Sequence, residues 1–218
     1  MPSHEIELKR LLLGPAAADA LIAALGPVAE HKHQLNHVFD TEDYRLRQHR
    51  HSVRLRFENG APILTAKGPG RSLGAHTSAR TEAEATIDST IAADILRGAE
   101  DPVAVLRARA VHSAFDELWL GLERARGDHA LRHIGSFENL RRTVPVVIEP
   151  GLELVVEVDQ TRLPDRIDHE VEIELPDERR VAAVEAWLEQ RAAAAGVALA
   201  PASPKLARFY AAFQQGAR

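Results

Sequence analysis

The sequence predicts an α+β fold built on a largely antiparallel sheet, and three observations carry that expectation. Charged and apolar residues alternate in short runs, as in His4-Glu5-Ile6-Glu7-Leu8-Lys9, at the period of two that a β-strand imposes. Turn signals such as Asn59-Gly60 join neighbouring runs into hairpins, and hairpins pair antiparallel. Segments of helical period stand between and after groups of strands instead of alternating with single ones.

Taken in order, the first strand runs from His4 to Lys9, and an Ala-rich helix follows from about Ala16 to Leu25, closed by Gly26-Pro27. A β-meander comes next, with strands at Asn36 to Phe39, Ser52 to Glu58 and Ala61 to Lys67. Residues 68–74 are a glycine-rich loop on composition, and a strand carrying Arg80, Glu82 and Glu84 on one face follows it. Helices are expected over Asp88 to Gly98 and Asp101 to Arg109. A third runs through Phe115, Leu118, Trp119 and Leu122, whose spacing is helical. Strands return at about Phe137 to Ile148, Glu153 to Gln160 and His169 to Leu175. The chain ends in a helix from Arg179 to Ala195 and another opened by Ser203 as N-cap and Pro204. That makes roughly eight strands in two groups.

Composition narrows the function. With 218 residues, 45% hydrophobic and 27% charged, the chain can bury one sizeable core, so a single domain over 1–218 is expected. Zero cysteines exclude disulfides and thiolate zinc sites, and oxygen and imidazole remain as ligands, which favours Mg²⁺ or Mn²⁺ as the cofactor if a metal binds. A net charge of −5 argues against nucleic acid as a partner over a broad surface, although a local basic tunnel is compatible with it. No apolar run is long enough to span a bilayer and no signal-like stretch precedes the first strand. A cytoplasmic protein with no membrane partner is therefore expected.

The charges then fall on one side. Same-face sets are Glu5/Glu7/Lys9, Arg54/Arg56, Arg80/Glu82/Glu84, Glu157/Asp159 and Glu170/Glu172/Glu174, and the alternate positions are mostly apolar, as in Val53, Leu55 and Phe57 or Val171, Ile173 and Leu175. An open sheet with one wet face would explain any single strand. Such a face normally mixes Thr, Ser, Gln and Lys with its acids, whereas here glutamates cluster on some strands and arginines on another. That segregation suits a polyphosphate and its metal, with arginines and lysines cradling phosphate oxygens and carboxylates holding a hard cation. If the sheet closes on itself, the ionised face lines a tunnel.

These residues resemble the CYTH family, the triphosphate tunnel metalloenzymes. Glu5-Ile6-Glu7-Leu8-Lys9 matches that family's E-x-E-x-K signature. Val38-Phe39-Asp40-Thr41, Arg54-Leu55-Arg56, Thr65-Ala66-Lys67-Gly68, Arg80-Thr81-Glu82-Ala83-Glu84, Arg142, Val158-Asp159, Glu170-Val171-Glu172 and Ser203-Pro204-Lys205 continue the match in the family's order. The resemblance implies a closed eight-stranded antiparallel β-barrel with flanking helices, a small-molecule triphosphate as partner, and a divalent metal. It implies Glu5, Glu7 and Lys9 as catalytic residues and Lys9, Arg54, Arg56, Lys67, Arg142 and Lys205 as the phosphate clamp. Glu5, Glu7, Glu84, Asp159, Glu170 and Glu172 are the implied metal ligands, with Glu82 sharing the face of Glu84.

Two departures from the family are visible. Vertebrate thiamine triphosphatases carry a Trp just before the paired arginines, and the matching residue here is Ser52, which counts against thiamine triphosphate as substrate. The stretch 111–135 is longer than in familiar members. Its apolar stripe could pack on the barrel, cover one mouth or meet a second subunit in a homodimer, and packing is the expectation.

The pairs His31/His33 and His49/His51 lie in polar surroundings without an acid cluster and are not expected to be ligands. Ser52, Ser113 and Ser203 lack a nucleophile elbow, and the loop at 68–74 lacks the ending of a P-loop. A metal-dependent triphosphatase acting on inorganic or nucleoside triphosphate is the leading function. Class IV adenylyl cyclase activity and a non-catalytic polyphosphate- or nucleotide-binding module are its rivals.

Overall fold

The structure is a computed structural model and describes residues 4–216. Its strands are β1 (His4–Leu12), β2 (Glu30–Asp40), β3 (Ser52–Glu58), β4 (Ala61–Lys67), β5 (Arg71–Ser72), β6 (Thr77–Thr86), β7 (Arg132–Glu149), β8 (Leu152–Arg162), β9 (Ile167–Glu174) and β10 (Leu199–Pro201). Among the described residues seven α-helices flank them: α1 (Pro15–Leu25), α2 (Arg45–Gln48), α3 (Ser89–Leu96), α4 (Pro102–Arg109), α5 (Asp116–Arg126), α6 (Val181–Ala194) and α7 (Lys205–Gly216). The sheet order is β10-β1-β9-β8-β7-β2-β3-β4-β6-β5, and β1 also pairs with β6. Eight strands thus form a closed antiparallel barrel, to which β5 and β10 are appended.

The expected elements are present, with shifted bounds that have physical causes. β2 begins at Glu30, not Asn36, and from Gln34 onward it is paired with β3, Gln34 lying opposite Glu58. β7 likewise starts at Arg132. β5 interrupts the glycine loop, where the Leu73 amide donates to the Thr77 carbonyl. β10 is too short to leave a periodic signal and contains Pro201, which lies opposite Arg10 of β1. The four-residue α2 is set by Asp40, whose buried carboxylate accepts from the amides of Thr41 at 2.7 Å, Leu46 at 2.8 Å and Arg47 at 3.1 Å. Helix α7 opens at Lys205, one residue after Pro204.

The chain divides into two compact units. The first holds β1 as far as Glu5, Gln34–Arg71 and Arg80–Ser136. The second holds Ile6–His33, Ser72–Ala79 and the chain from Phe137 onward. In the first unit Phe39, Val53, Leu55, Leu64, Ala66 and Ala83 meet Ile95 of α3, Leu106 of α4 and Leu118, Trp119 and Leu122 of α5. The apolar stripe of the long 111–135 stretch is therefore core. In the second unit Ile6, Leu8, Val144, Val156, Val158, Val171 and Ile173 meet Leu21 of α1 and Val184 and Leu188 of α6. Each such side chain contributes roughly 1.5–3 kcal/mol by leaving water. Since apolar rows turn toward helices, alternation commits the charged rows to the opposite face of the sheet.

Candidate active site

Ladder partners share a face, so the register identifies which charges stand together. In the second unit Lys9 lies opposite Glu172, Glu172 opposite Glu157, and Asp159 opposite both Arg141 and Glu170. Lys9 Nζ is 2.5 Å from Glu172 Oε1 and 3.3 Å from Glu7 Oε2. Arg141 grips Asp159 with two hydrogen bonds, Nε to Oδ1 at 2.8 Å and Nη2 to Oδ2 at 2.7 Å. It also donates to Glu172 at 2.6 Å and pairs with Glu157. Lys205, in the first turn of α7, reaches Asp159 at 2.5 Å, Glu170 at 2.8 Å and Glu172 at 3.4 Å. One helical step on, Arg208 bonds Glu170 at 2.6 Å and pairs with Asp168 at 2.8 Å.

This density of charge governs the protonation states. Burial pulls the Lys9 ammonium down, but Glu172, Glu7 and Glu170 outweigh it and hold the pKa above the ordinary lysine range. Lys205 is raised in the same way by Asp159, Glu170 and Glu172, and Arg141 well above its usual value by Asp159, Glu172 and Glu157, in each case against burial. Burial raises the carboxyl groups of Asp159 and Glu172, yet both end below the ordinary range. Arg141 and Lys205 lower Asp159, and Lys205, Lys9 and Arg141 lower Glu172. Glu157 goes the other way, to about 7. Its burial outweighs Arg141, and Glu172, Asp159 and Glu7 repel its charge.

In the first unit Lys67 Nζ bonds Glu5 at 2.7 Å and Glu82 at 3.0 Å, and Arg80 lies 3.4 Å from Glu5. Arg54 shares its row with Thr65 and Glu84. Glu84 accepts from Thr65 at 3.2 Å and from Arg56 at 3.3 Å, and Arg56 is 3.6 Å from Glu58. Glu82 has a 14% exposed side chain against 43% for Glu84, so of these two acids on one face Glu82 is the less exposed one.

Of the expected residues, Glu7, Lys9, Asp159, Glu170, Glu172 and Lys205 converge in the second unit, while Glu5, Lys67, Arg54, Arg56 and Glu84 stand on the ionised face of the first. Arg142 is a correction. It lies opposite Val158, on the apolar face, and donates to Asp19 of α1 at 2.6 Å. The residue among the acids is Arg141. Parity carried the signal weakly, because Val144 and Val146 share a face with Arg142 while Pro145 and Val147 blur the alternation. Arg208, three residues beyond Lys205 on the same helix, also reaches the acids, and no motif in the sequence marks it.

Asp159, Glu170 and Glu172 each offer a carboxylate oxygen within 4.8 Å of the others, and all three are buried. An all-oxygen donor set of that size fits a hard divalent cation and not a soft one.

The chain is a closed antiparallel barrel whose strands sort lysines, arginines and carboxylates onto one face. This chain belongs to the CYTH domain family, whose model matches residues 3–203. Among solved structures it is similar to the candidate adenylyl cyclase HpAC1 from Hippeastrum, a protein with a dominant triphosphatase activity, at 26% identity and TM-score 0.74 over 95% of both chains. A candidate adenylate cyclase from Bacillus halodurans shares the fold at 22% identity and TM-score 0.67, over 95% of this chain and 98% of that one. PH1819 from Pyrococcus horikoshii OT3 does so at 14% identity and TM-score 0.60, over 99% and 100%. No curated protein sequence matches the chain.

Proposed function

We propose that this chain is a divalent-metal-dependent triphosphatase acting on inorganic or nucleoside triphosphate. The observation that carries the reading is the buried trio Asp159, Glu170 and Glu172 held by Lys9, Arg141 and Lys205. Such an arrangement is poised for exchange of partners. Phosphate oxygens compete for the ammonium and guanidinium groups, and each cation drawn to them leaves a carboxylate in need of positive charge. Mg²⁺ or Mn²⁺ held by Asp159, Glu170 and Glu172 would neutralise charge on the phosphoryl oxygens and activate water.

The chain's own groups do the rest. In the second unit Lys9, Arg141 and Lys205 bind and orient phosphates and Glu7 orients the attacking water; in the first unit Arg54, Arg56 and Lys67 are the phosphate-binding groups and Glu5, bonded to Lys67, is the acid beside them. Glu84, tied to Arg56 and Thr65, is better suited to aligning Arg56 than to holding a metal. The similarity to HpAC1 supports hydrolysis as the main reaction and keeps cyclisation of ATP as the alternative outcome.

The test incubates purified protein with inorganic triphosphate, ATP or thiamine triphosphate in Mg²⁺ or Mn²⁺ and measures phosphate, pyrophosphate and cyclic AMP. Phosphate is expected from triphosphate, with kcat/KM at least ~100-fold above that for pyrophosphate or a phosphomonoester, since remote phosphates supply binding energy that aligns the reacting one. EDTA should abolish turnover, and Glu5→Gln and Glu7→Gln should remove most of it while the fold persists. Cyclic AMP as main product would make the chain a cyclase, and no turnover of any triphosphate would leave a binding module.

A further inference from the structure

His37 on β2 and His133 and Ser136 on β7 belong to the first unit, and none has a part in the proposed reaction. His37 Nδ1 stands 3.2 Å from His133 Nε2, and the Ser136 hydroxyl oxygen lies 2.8 Å from the former and 3.0 Å from the latter. Three ligand-type atoms thus form a nearly equilateral triangle. The His133 ring also hydrogen-bonds the Gly135 backbone, and a ring N–H donating to that carbonyl leaves Nε2 as a lone pair. Inside the triangle, at most one proton from Ser136 and one from His37 serve three edges. The three edges therefore do not each have a proton of their own.

The rings are braced, His37 edge-on to Phe57 with centroids 5.7 Å apart and His133 against Phe39 at 5.7 Å.

We propose that His37, His133 and Ser136 form a surface site for a borderline transition-metal ion, Zn²⁺ or a chemical relative such as Co²⁺. An ion bonded at about 2.0–2.1 Å in a tetrahedron separates its ligand atoms by about 3.3–3.4 Å, so the triangle has to open by only a few tenths of an ångström. His133 is exposed, which leaves the fourth position to water. The Gly135 carbonyl fixes the His133 tautomer, as second partners of ligating histidines do. The two-nitrogen donor set separates this site from the all-oxygen trio in the second unit, which takes hard cations. A bound ion would also cross-link β2 to β7, neighbours in the sheet.

The test uses the full chain without a polyhistidine tag, stripped of metal and kept in excess Mg²⁺ to occupy oxygen-donor sites. It is titrated with Zn²⁺ by calorimetry and with Co²⁺ by visible absorption. One equivalent of Zn²⁺ should bind, Co²⁺ should give a tetrahedral spectrum, and His37→Ala and His133→Ala should each raise Kd at least tenfold. Ser136→Ala should have a smaller effect and His31→Ala none. His133 is exposed, so its alanine variant tests the site even if His37→Ala disturbs packing on Phe57, and circular dichroism checks both folds. Absence of Zn²⁺ binding by the folded protein, or a Kd unchanged in His133→Ala, would overturn the proposal.

Discussion

Arg141 and Arg142 are adjacent in sequence and opposite in employment, because a strand turns consecutive side chains to opposite faces. Arg141 is wedged among Asp159, Glu172 and Glu157, whereas Arg142 reaches outward to the 66% exposed Asp19. Arg142→Ala should change triphosphate kcat/KM by no more than about twofold, since an exposed pair is worth ~0–1 kcal/mol. Arg141→Ala should lower it at least ~100-fold, and Arg141→Lys should recover only part, lacking the two-pronged grip. Equal losses from Arg141→Ala and Arg142→Ala would mean that both faces serve the substrate. A second residue-level expectation concerns acid. In the unfolded chain His37 takes a proton near its ordinary 6.5, whereas the folded protein resists it down to about 4, because the ring is partly buried and faces His133. The folded state binds fewer protons across that window, so this contribution to stability is present at neutral pH and is lost as pH falls from 6.5 toward 4. Solvent around the half-open ring limits it to about 1–2 kcal/mol. Urea titrations at pH 7.5 and 4.5 in EDTA should therefore differ less for His37→Gln than for the native sequence.

At the scale of elements, legibility followed periodicity. The hairpin of β3 and β4 was fully readable, because Asn59-Gly60 is a two-residue turn whose φ values, 48° and 90°, are the left-handed pair that such hairpins require. Gly60→Ala should lower stability by about 1 kcal/mol, read as a fall of roughly 2–4 °C in Tm, through backbone strain alone, since a Cβ there meets nothing within 4 Å. Helix α1 was equally plain, and its buried Leu21 should cost about 2–5 kcal/mol when cut to Ala, against under ~0.5 kcal/mol for the exposed Leu13. What stayed hidden was what partners impose. The two residues of β5 and the three of β10 are strands because a neighbour pairs them, and α2 exists because Asp40 gathers its amides. The candidate site divides along the same line. Glu5, Glu7, Lys9, Glu170 and Glu172 alternate cleanly with buried apolar residues and were legible, while Arg141 sits in a run where both parities are apolar. The triangle of His37, His133 and Ser136 joins residues 96 and 99 positions apart in sequence and leaves no local trace.

At the scale of the whole molecule, the closed order of strands places β1 between β9 and β6, with β10 pairing beside it. Leu8 opposite Ile173 is one rung of that ladder. β1 therefore leaves the ribosome well before β9, its antiparallel partner, has been made, an interval of about 10–30 s at ordinary rates of synthesis. Throughout that interval Ile6, Leu8 and Leu12 are a ready template for the wrong strand. The glutamates and lysine interleaved with them make that template repulsive, so the charges proposed for chemistry in the finished protein act earlier as guards of the nascent one. Glu7→Val should then leave more light-scattering aggregate on dilution from urea than Glu7→Gln, which keeps the site polar, although both remove the same carboxylate. A signature strand of this kind is held in place by two demands separated in time, and the earlier of them is already in force before any substrate can bind.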